Sequence, residues 1–530
     1  MASIAFFPLL GSVHLFDWDE INFAEVAREM IATGSYSRVQ IDFAPFHEKP
    51  PLFFWLQVLS MKLWGISEFA VRFPNALCGV LTLVSLYLIG SAYKDKRLGL
   101  FWALMHFSAL LPHFYFKTGI IDPVFNYCIF LGIYSLTRLI SSPNPRVARR
   151  WALFGGVAIG MAILTKGPVG LLIPCLTCIV YWIWGRFRSI MSWPSLCIFA
   201  LTVLAIPLLW FGYEIHKNGC WFIKEFISYQ ITLFRRPVAG HAQPIYYHFV
   251  VIFLGCFPAS VLALGNLLKP SFQGRFELFK IMQILLGVVM ILFTLVTTKI
   301  VHYTSMAYFP ITFLAAHYLY TLDQNIDKPS KAMNLSLCFT GMLVAILLTA
   351  LPLIALFKER FYSFISDNFT LAMLSMPVAW SFVDCLVGIG YLLLMTAAYQ
   401  FFRKLAIMHF AMLCSIATTL CLTFGTALIV PKVEAHTQKS AIEFYKYLAG
   451  QAVYVATVGF KSYAPLFYFQ QPNDYHPKRK DLNWLLTGSL DRPAYFVVKI
   501  TDVAKMQAYP DITLIKAQGC FSFHRRAKTP

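Results

Sequence analysis

The chain has 530 residues, of which 58% are hydrophobic and only 13% charged, a composition too apolar for a soluble protein whose surface must be wetted. Lys and Arg outnumber Asp and Glu by 44 to 25, a formal charge of +19, but no basic run interleaved with aromatics sits on a soluble stretch, so nucleic acid is excluded as a partner. Of the 12 cysteines, only Cys220 and Cys520 lie outside apolar runs, and Cys175 with Cys178 lacks the second pair that a structural metal site requires.

A hydrocarbon core of about 30 Å needs about 20 apolar residues per helix. Such runs predict about thirteen transmembrane helices, over 2–15, 69–92, 98–115, 121–139, 151–164, 168–184, 193–213, 245–268, 281–297, 303–320, 332–357, 377–401 and 405–430. The first is short, which points to a start upstream or a trimmed chain. It does not read as a signal peptide, because no charged segment precedes it and no small-residue cleavage site separates it from the acidic DWDE.

Basic residues collect in alternate connections: Lys94, Lys96 and Arg97; Arg138, Arg146, Arg149 and Arg150; Arg186 and Arg188; Lys269, Arg275 and Lys280; Lys328 and Lys331; Arg403 and Lys404. Cytoplasmic loops carry that excess, so the N-terminus is expected in the cytoplasm. The outer face then receives the first loop 16–68, the long loop 214–244, the turns at 117–123, 165–168 and 297–302, and the C-terminus. Composition changes after Val430. Strand-like VYVATVGF and AYFVVKI alternate with helical stretches at 439–448 and 502–508, followed by strand pieces broken at Gly519. The expected fold is an all-α polytopic membrane domain, 1–430, carrying a small periplasmic α/β domain, 431–530.

In the first loop Ile21, Ala24, Val26, Ala27 and Met30 share a helical pattern with Glu25, Arg28 and Glu29, which predicts an amphipathic helix at the interface. Pro50 and Pro51 open a second helix. Asp17, Asp19, Glu20, Glu48 and Lys49 thereby sit where the membrane meets the outer compartment. Other ionisable groups stand at outer helix ends: Lys117 and Asp122 in YFKTGIIDPVF, Lys166 in LTKGPVG, and Lys299, His302 and Tyr303 in TTKIVHYTSMAYFP. Charges that close to hydrocarbon are costly and face a cavity or a partner. Snorkelling accounts for any one Lys alone. Lys49, Lys117, Lys166 and Lys299 on one face, with Arg235 and Arg236, instead predict an anion held at the interface, a lipid phosphate first.

The ordered series DWDEINFAEVAREM, HEKPP, IIDP, LTKGP, GHAQPIYYH and KIVHY, over roughly residues 1–320, resembles the membrane glycosyltransferases that group the lipid A aminoarabinose transferases with the protein O-mannosyltransferases. The resemblance implies a C-type glycosyltransferase fold in the bacterial inner membrane. It also implies inverting transfer of one sugar from a polyprenyl-phosphate donor to lipid A, another glycan or a protein on the outer face. By that resemblance Asp19 and Asp122 are the catalytic acidic positions, and Lys49, Arg235, Arg236 and Lys299 the donor phosphate-binding ones. Glu20, Glu48, Lys117, Lys166, His241, His302 and Tyr303 belong to the substrate cavity. Glu48 and His241 are the polar positions implied for a divalent metal; no other cofactor is expected, and the chain is expected to act as a monomer among membrane lipids. There are two departures: Ile21-Asn22 stands where the family often has Pro-Arg, and Thr232 holds the register of a phosphate-directed Arg, with Arg235 and Arg236 a turn further on. Alternatives are a protein O-mannosyltransferase acting on Ser or Thr, an oligosaccharide ligase, and a flippase for a lipid-linked precursor. A flippase would carry its polar groups at the bilayer midplane.

Overall fold

The computed structural model describes residues 2–187, 191–235, 243–267, 278–472 and 476–529. In chain order the N-terminal half comprises α1 (Ala2–Phe6), α2 (Asp19–Thr33), a hairpin of β1 (Gln40–Ile41) and β2 (Ala44–Pro45), α3 (Leu52–Trp64), α4 (Glu68–Tyr93), α5 (Lys96–Ser108), α6 (Leu110–Tyr115), α7 (Asp122–Ile140), α8 (Pro145–Lys166), α9 (Val169–Trp184), α10 (Trp193–Asn218) and α11 (Trp221–Arg235). There follow α12 (Tyr247–Gly255), α13 (Ala259–Leu267), α14 (Leu278–Leu295), α15 (Tyr308–Asp323), α16 (Lys331–Leu356), α17 (Asn368–Ser375), α18 (Phe382–Arg403), α19 (Ile407–Phe424), α20 (Val430–Thr437), α21 (Lys439–Leu448) and α22 (Ala464–Phe469), with strands β3 (Tyr454–Val458), β4 (Ala494–Lys499), β5 (Ile512–Gln518) and β6 (Phe521–Arg526) in the C-terminal unit.

Among the described residues eight helices are long and apolar enough to cross a membrane: α4, α7, α8, α10, α14, α16, α18 and the run Ile407–Thr437. The pair α12 and α13, bent by 111°, makes a ninth if counted as one broken span; Pro258 stands at the bend. The remaining expected spans are short or interrupted. Residues 98–115 divide at Ala109, whose backbone is extended between α5 and α6. The expected 303–320 span begins as a 3-10 turn, Val301–Ala307, before α15. Helix α15 is buried on all sides, as an apolar helix at the middle of a bundle must be. A Cβ on Gly90 would lie 2.7 Å from Gly99 Cα, so α4 and α5 touch backbone to backbone, the close approach small residues allow in membranes.

Residues 2–15 do not form a span. Helix α1 ends at Phe6, Leu9 takes a left-handed conformation, and the carbonyls left without helical partners are collected by side chains from α4 and from the turn after α6. Lys117 Nζ donates to Ala5 O, Phe6 O and Pro8 O at 3.0, 3.3 and 2.8 Å. Arg72 takes Leu10 O, Val13 O and His14 O at 2.8, 2.8 and 3.0 Å.

Helix α2 also departs from expectation. It is not an interfacial helix with a wetted face, because Glu25, Arg28 and Glu29 are buried with its apolar side. Its charges are satisfied internally: Arg28 forks onto Glu25 with two 2.7 Å bonds, and Glu29 accepts from the Asp42 and Phe43 amides at the hairpin turn. Helix α3, by contrast, exposes Leu59, Leu63 and Trp64.

The compositional break at Val430 is not a structural one. Helix α19 runs through a π turn at Gly425–Ile429 into α20 and stops only at Thr437. Beyond it lies a four-stranded sheet in the order β3-β4-β6-β5, parallel between β3 and β4 and antiparallel elsewhere. Helix α21 packs Ala441, Ile442, Phe444, Tyr445 and Leu448 into the core shared with the helical bundle. Cys520, expected with Cys220 to lie outside the apolar packing, is buried here, its Sγ 3.4 Å from Thr437 O, whereas Cys220 is exposed as expected, and Cys175 and Cys338 are exposed on apolar helices.

Candidate active site at one end of the bundle

Five separate segments bring ionisable side chains to one end of the bundle. Asp19 opens α2; Lys49 lies two residues before the Pro51 cap of α3; Asp122 opens α7; Lys166 closes α8; His302 sits in the 3-10 turn ahead of α15. Since α7 and α8 pack as an antiparallel pair, the start of one meets the end of the other. A carboxylate at a helix start and an ammonium at a helix end also suit the two helix dipoles.

The central contact is Lys166 Nζ to Asp122 Oδ1 at 2.6 Å, with the carboxylate buried. His302 Nε2 lies 3.7 Å from Asp19 Oδ2 and 3.8 Å from Asp122 Oδ2, so the imidazole stands between the two acidic groups. The Asp19 side chain is 44% exposed and that of Asp122 only 3%. Asp19 is therefore the carboxylate a substrate can reach. Tyr229 OH on α11 donates to Glu48 Oε2 at 3.2 Å, and Lys49 Nζ lies 5.6 Å from the Tyr229 ring centre. Lys166 Nζ is 5.4 Å from the Tyr303 ring. Burial pulls the Lys49 ammonium below its ordinary range, an effect opposed by Glu48, Asp19 and Asp122 and reinforced by Lys166. Burial likewise lowers the His302 imidazole against the pull of Asp122.

Asp19, Glu48, Lys49, Asp122, Lys166, His302 and Tyr303 thus converge. Four other expected cavity or phosphate groups do not. Glu20 is spent on Arg72, with bonds of 3.0 and 2.9 Å, and on the amides of Phe16 and Gly119. Lys117 serves the carbonyls that end α1, and Lys299 Nζ turns back to Val296 O at 2.8 Å. Arg235 lies exposed at the end of α11, beside Lys224, Ile227 and Ile231 in an open cleft. Arg236 and His241 lie outside the described residues, as do Arg188, Lys269 and Arg275 of the basic connections. Among the described residues no group of three or more His, Cys, Asp or Glu could hold a metal. Glu48 faces the Tyr229 phenol and the Lys49 ammonium, and its expected metal partner His241 lies outside the described residues.

Tyr229 was not among the expected site residues. Its signal was the spacing of Phe222, Phe226 and Tyr229, an aromatic stripe on α11 whose first two members are buried.

The expected inner connections also meet each other: Arg97 pairs with Asp323 at 3.0 Å and Tyr320 OH donates to Asp95 at 2.6 Å. In α8, Arg146, Arg149 and Arg150 stand at the start and Lys166 at the end, so these described basic residues lie at the opposite end of that helix from the acidic-basic cluster.

Residues 48–211 match the family model of dolichyl-phosphate-mannose-protein mannosyltransferases. By sequence the chain is similar to undecaprenyl phosphate-alpha-4-amino-4-deoxy-L-arabinose arabinosyl transferases. The one from Proteus mirabilis is 24% identical over 64% of this chain and 62% of its own length, and that from Edwardsiella ictaluri 25% identical over 65% and 63%. The matched region spans less than two thirds of the length of these relatives. By fold it is similar to ArnT from Cupriavidus metallidurans, solved bound to undecaprenyl phosphate, with a TM-score of 0.78 at 18% identity over 99% of this chain and 96% of that one. The oligosaccharyltransferase from Archaeoglobus fulgidus follows at a TM-score of 0.50 and 11% identity, over 96% of this chain and 70% of that one. The chain therefore shares the fold of these solved structures, and its sequence resembles the aminoarabinose transferases and, over residues 48–211, the family model of the protein mannosyltransferases.

Proposed function

We propose that this chain is an inverting glycosyltransferase of the inner membrane that moves a single sugar, aminoarabinose-like or a hexose, from a polyprenyl-phosphate donor to lipid A or another envelope acceptor. The observation that carries the reading is the convergence of Asp19, Lys49, Asp122, Lys166 and His302 at the end of the bundle opposite the basic connections. The likeness to the aminoarabinose transferases, including one solved with undecaprenyl phosphate, supports the choice of donor. In this reading that end faces the periplasm, with the C-terminal unit on the same side and the N-terminus directed to the cytoplasm.

The reaction forms a bond from the acceptor oxygen to the anomeric carbon while the bond from that carbon to the phosphate oxygen breaks, its electron pair leaving with the polyprenyl phosphate. A phosphate departs already stabilised as an anion. The site therefore needs cations where a glycoside hydrolase needs a protonated acid. Lys49 fills that role; Arg235, exposed at the end of α11, stands outside the converged cluster. Asp19 orients the acceptor and takes the proton of a hydroxyl acceptor; a phosphate acceptor on lipid A has none to give up. Asp122, fixed by Lys166, holds His302 against Asp19.

The test is release of undecaprenyl phosphate from undecaprenyl-phosphate-linked aminoarabinose and hexose donors by the purified chain, with mass spectrometry of lipid A and envelope glycoproteins with and without it. Asp19→Asn should lower turnover on the order of 10² to 10³ fold with donor binding retained. Lipid movement without donor cleavage would mark a flippase, and full turnover by Asp19→Asn would remove Asp19 from the mechanism.

A further inference from the structure

The C-terminal unit supplies no group to the chemistry above, yet it grips the first outer loop at two places, each a few residues ahead of a site residue. The first is the stretch leading into Asp19. Gln438, just after α20, brackets it from both sides: its Nε2 donates to Leu15 O at 2.8 Å, and its Oε1 accepts from the Asp17 amide at 3.4 Å. Tyr468 OH on α22 accepts from the Leu15 amide at 2.7 Å. The Asp17 carboxylate accepts from Ser462 Oγ and, at 3.3 Å, from the Tyr463 amide. Next to it Trp18 stands edge-on to Tyr463 with ring centres 5.4 Å apart, and Lys461 Nζ lies 5.4 and 5.0 Å from the two rings. His14 completes the contact at 2.5 Å from Glu434 Oε1.

The second grip is on the turn of the β1–β2 hairpin, ahead of Glu48 and Lys49. Arg479 pairs with Asp42 Oδ1 at 2.5 Å. Lys480 pairs with Asp42 Oδ2 at 2.9 Å and donates to Asp42 O at 2.7 Å. The Arg479 guanidinium also lies 5.9 Å from the Phe43 ring. From the opposite side Glu29 accepts the amides of Asp42 and Phe43 at 2.5 and 2.9 Å, so the turn is clasped between α2 and the C-terminal unit.

We propose that the C-terminal unit is a positioning element for catalysis, with two separable handles. Ser462 and Gln438 act through residues 15–17 to set the carboxylate of Asp19, and Arg479 and Lys480 act through Asp42 to set Lys49. This rests on the functional reading above, in which Asp19 serves the chemical step and Lys49 the donor phosphate. The two handles therefore have different kinetic signatures. A carboxylate displaced by a fraction of an ångström loses transition-state alignment, whereas a displaced ammonium weakens donor binding.

The experiment is steady-state kinetics of the full chain in mixed micelles with an undecaprenyl-phosphate-linked sugar. Ser462→Ala combined with Gln438→Ala should lower kcat roughly tenfold with donor KM within about twofold, and Ser462→Thr, which keeps the hydroxyl, should retain the parent kcat. Arg479→Ala combined with Lys480→Ala should raise donor KM roughly tenfold and leave kcat at saturating donor within about threefold. Equal effects of both pairs on kcat and KM, or no effect of either, overturns the proposal. Hydrogen–deuterium exchange reads the handles independently of turnover: the first pair should speed exchange in residues 14–19 alone, and the second in residues 40–49 alone. Unchanged exchange overturns the clamps whatever the activity, whereas altered exchange in a chain that never cleaves the donor overturns the functional reading and leaves the clamps standing.

Discussion

Replacing Arg72 by Met should destabilise the chain by about 3–5 kcal/mol, the range for removing one partner of a buried ion pair. Arg72 and Glu20 are each 7% exposed at the side chain. The guanidinium satisfies both carboxylate oxygens and three carbonyls of the segment that follows α1, at 2.8 to 3.0 Å. Met fills the volume but leaves a buried carboxylate with only the Phe16 and Gly119 amides, and three carbonyls without a donor. Glu20→Gln combined with Arg72→Met removes the uncompensated charge, so the double variant should be more stable than the sum of the singles by about 1–3 kcal/mol. The pair also has a pH signature. Burial pushes the Glu20 carboxyl up, but the charge and bonds of Arg72, with the two amides, bring it below its ordinary value of 4.5. A depressed carboxyl contributes stability that is complete above the unfolded value and is lost as pH falls through the folded one. Acid sensitivity below about pH 4.5 should therefore shrink in Glu20→Gln. Equilibrium unfolding in mixed micelles checks each point. An Arg72→Met variant within about 1 kcal/mol of the parent, or strict additivity in the double variant, would refute the reasoning.

Two further outcomes follow from the same contacts. Lys117→Met should cost about 1–3 kcal/mol, because it strands the carbonyls that end α1, while the folded fraction keeps its donor turnover; loss of turnover per folded molecule would return Lys117 to the cavity. Glu29 is held by burial and by the neighbouring Glu25 at about 8, against an ordinary 4.5. The folded state then binds the extra proton between those values, so stability should fall as pH rises from about 4.5 to about 8 and level off above; Glu29→Gln should flatten that slope in pH-dependent unfolding.

The residues that converge at the site were legible for a simple physical reason. Ionisable groups at outer helix ends are too costly to keep without a partner, and Asp19, Lys49, Asp122, Lys166 and His302 partner one another. The same cost argument could not distinguish Lys166 from Lys117 or Lys299, since a backbone carbonyl relieves a buried ammonium as well as a carboxylate does. That distinction depends on which carbonyls the chain leaves unpaired, and α1 leaves its carbonyls unpaired because it stops at Phe6 where composition alone suggested a continuous span. Helix α2 failed for the complementary reason. Its charged face reads as wetted by periodicity, but Glu25–Arg28 and Glu29 with the hairpin turn neutralise it from within, so the helix can be buried on the polar side too. The C-terminal strands were readable from their short apolar runs. What no local pattern carries is a contact such as Ser462 on Asp17 or Arg479 on Asp42, separated by more than four hundred residues. Those contacts tie a unit without catalytic groups to the two loop stretches where the groups stand, which gives the end of the chain a physical reason to fold against the site instead of beside it.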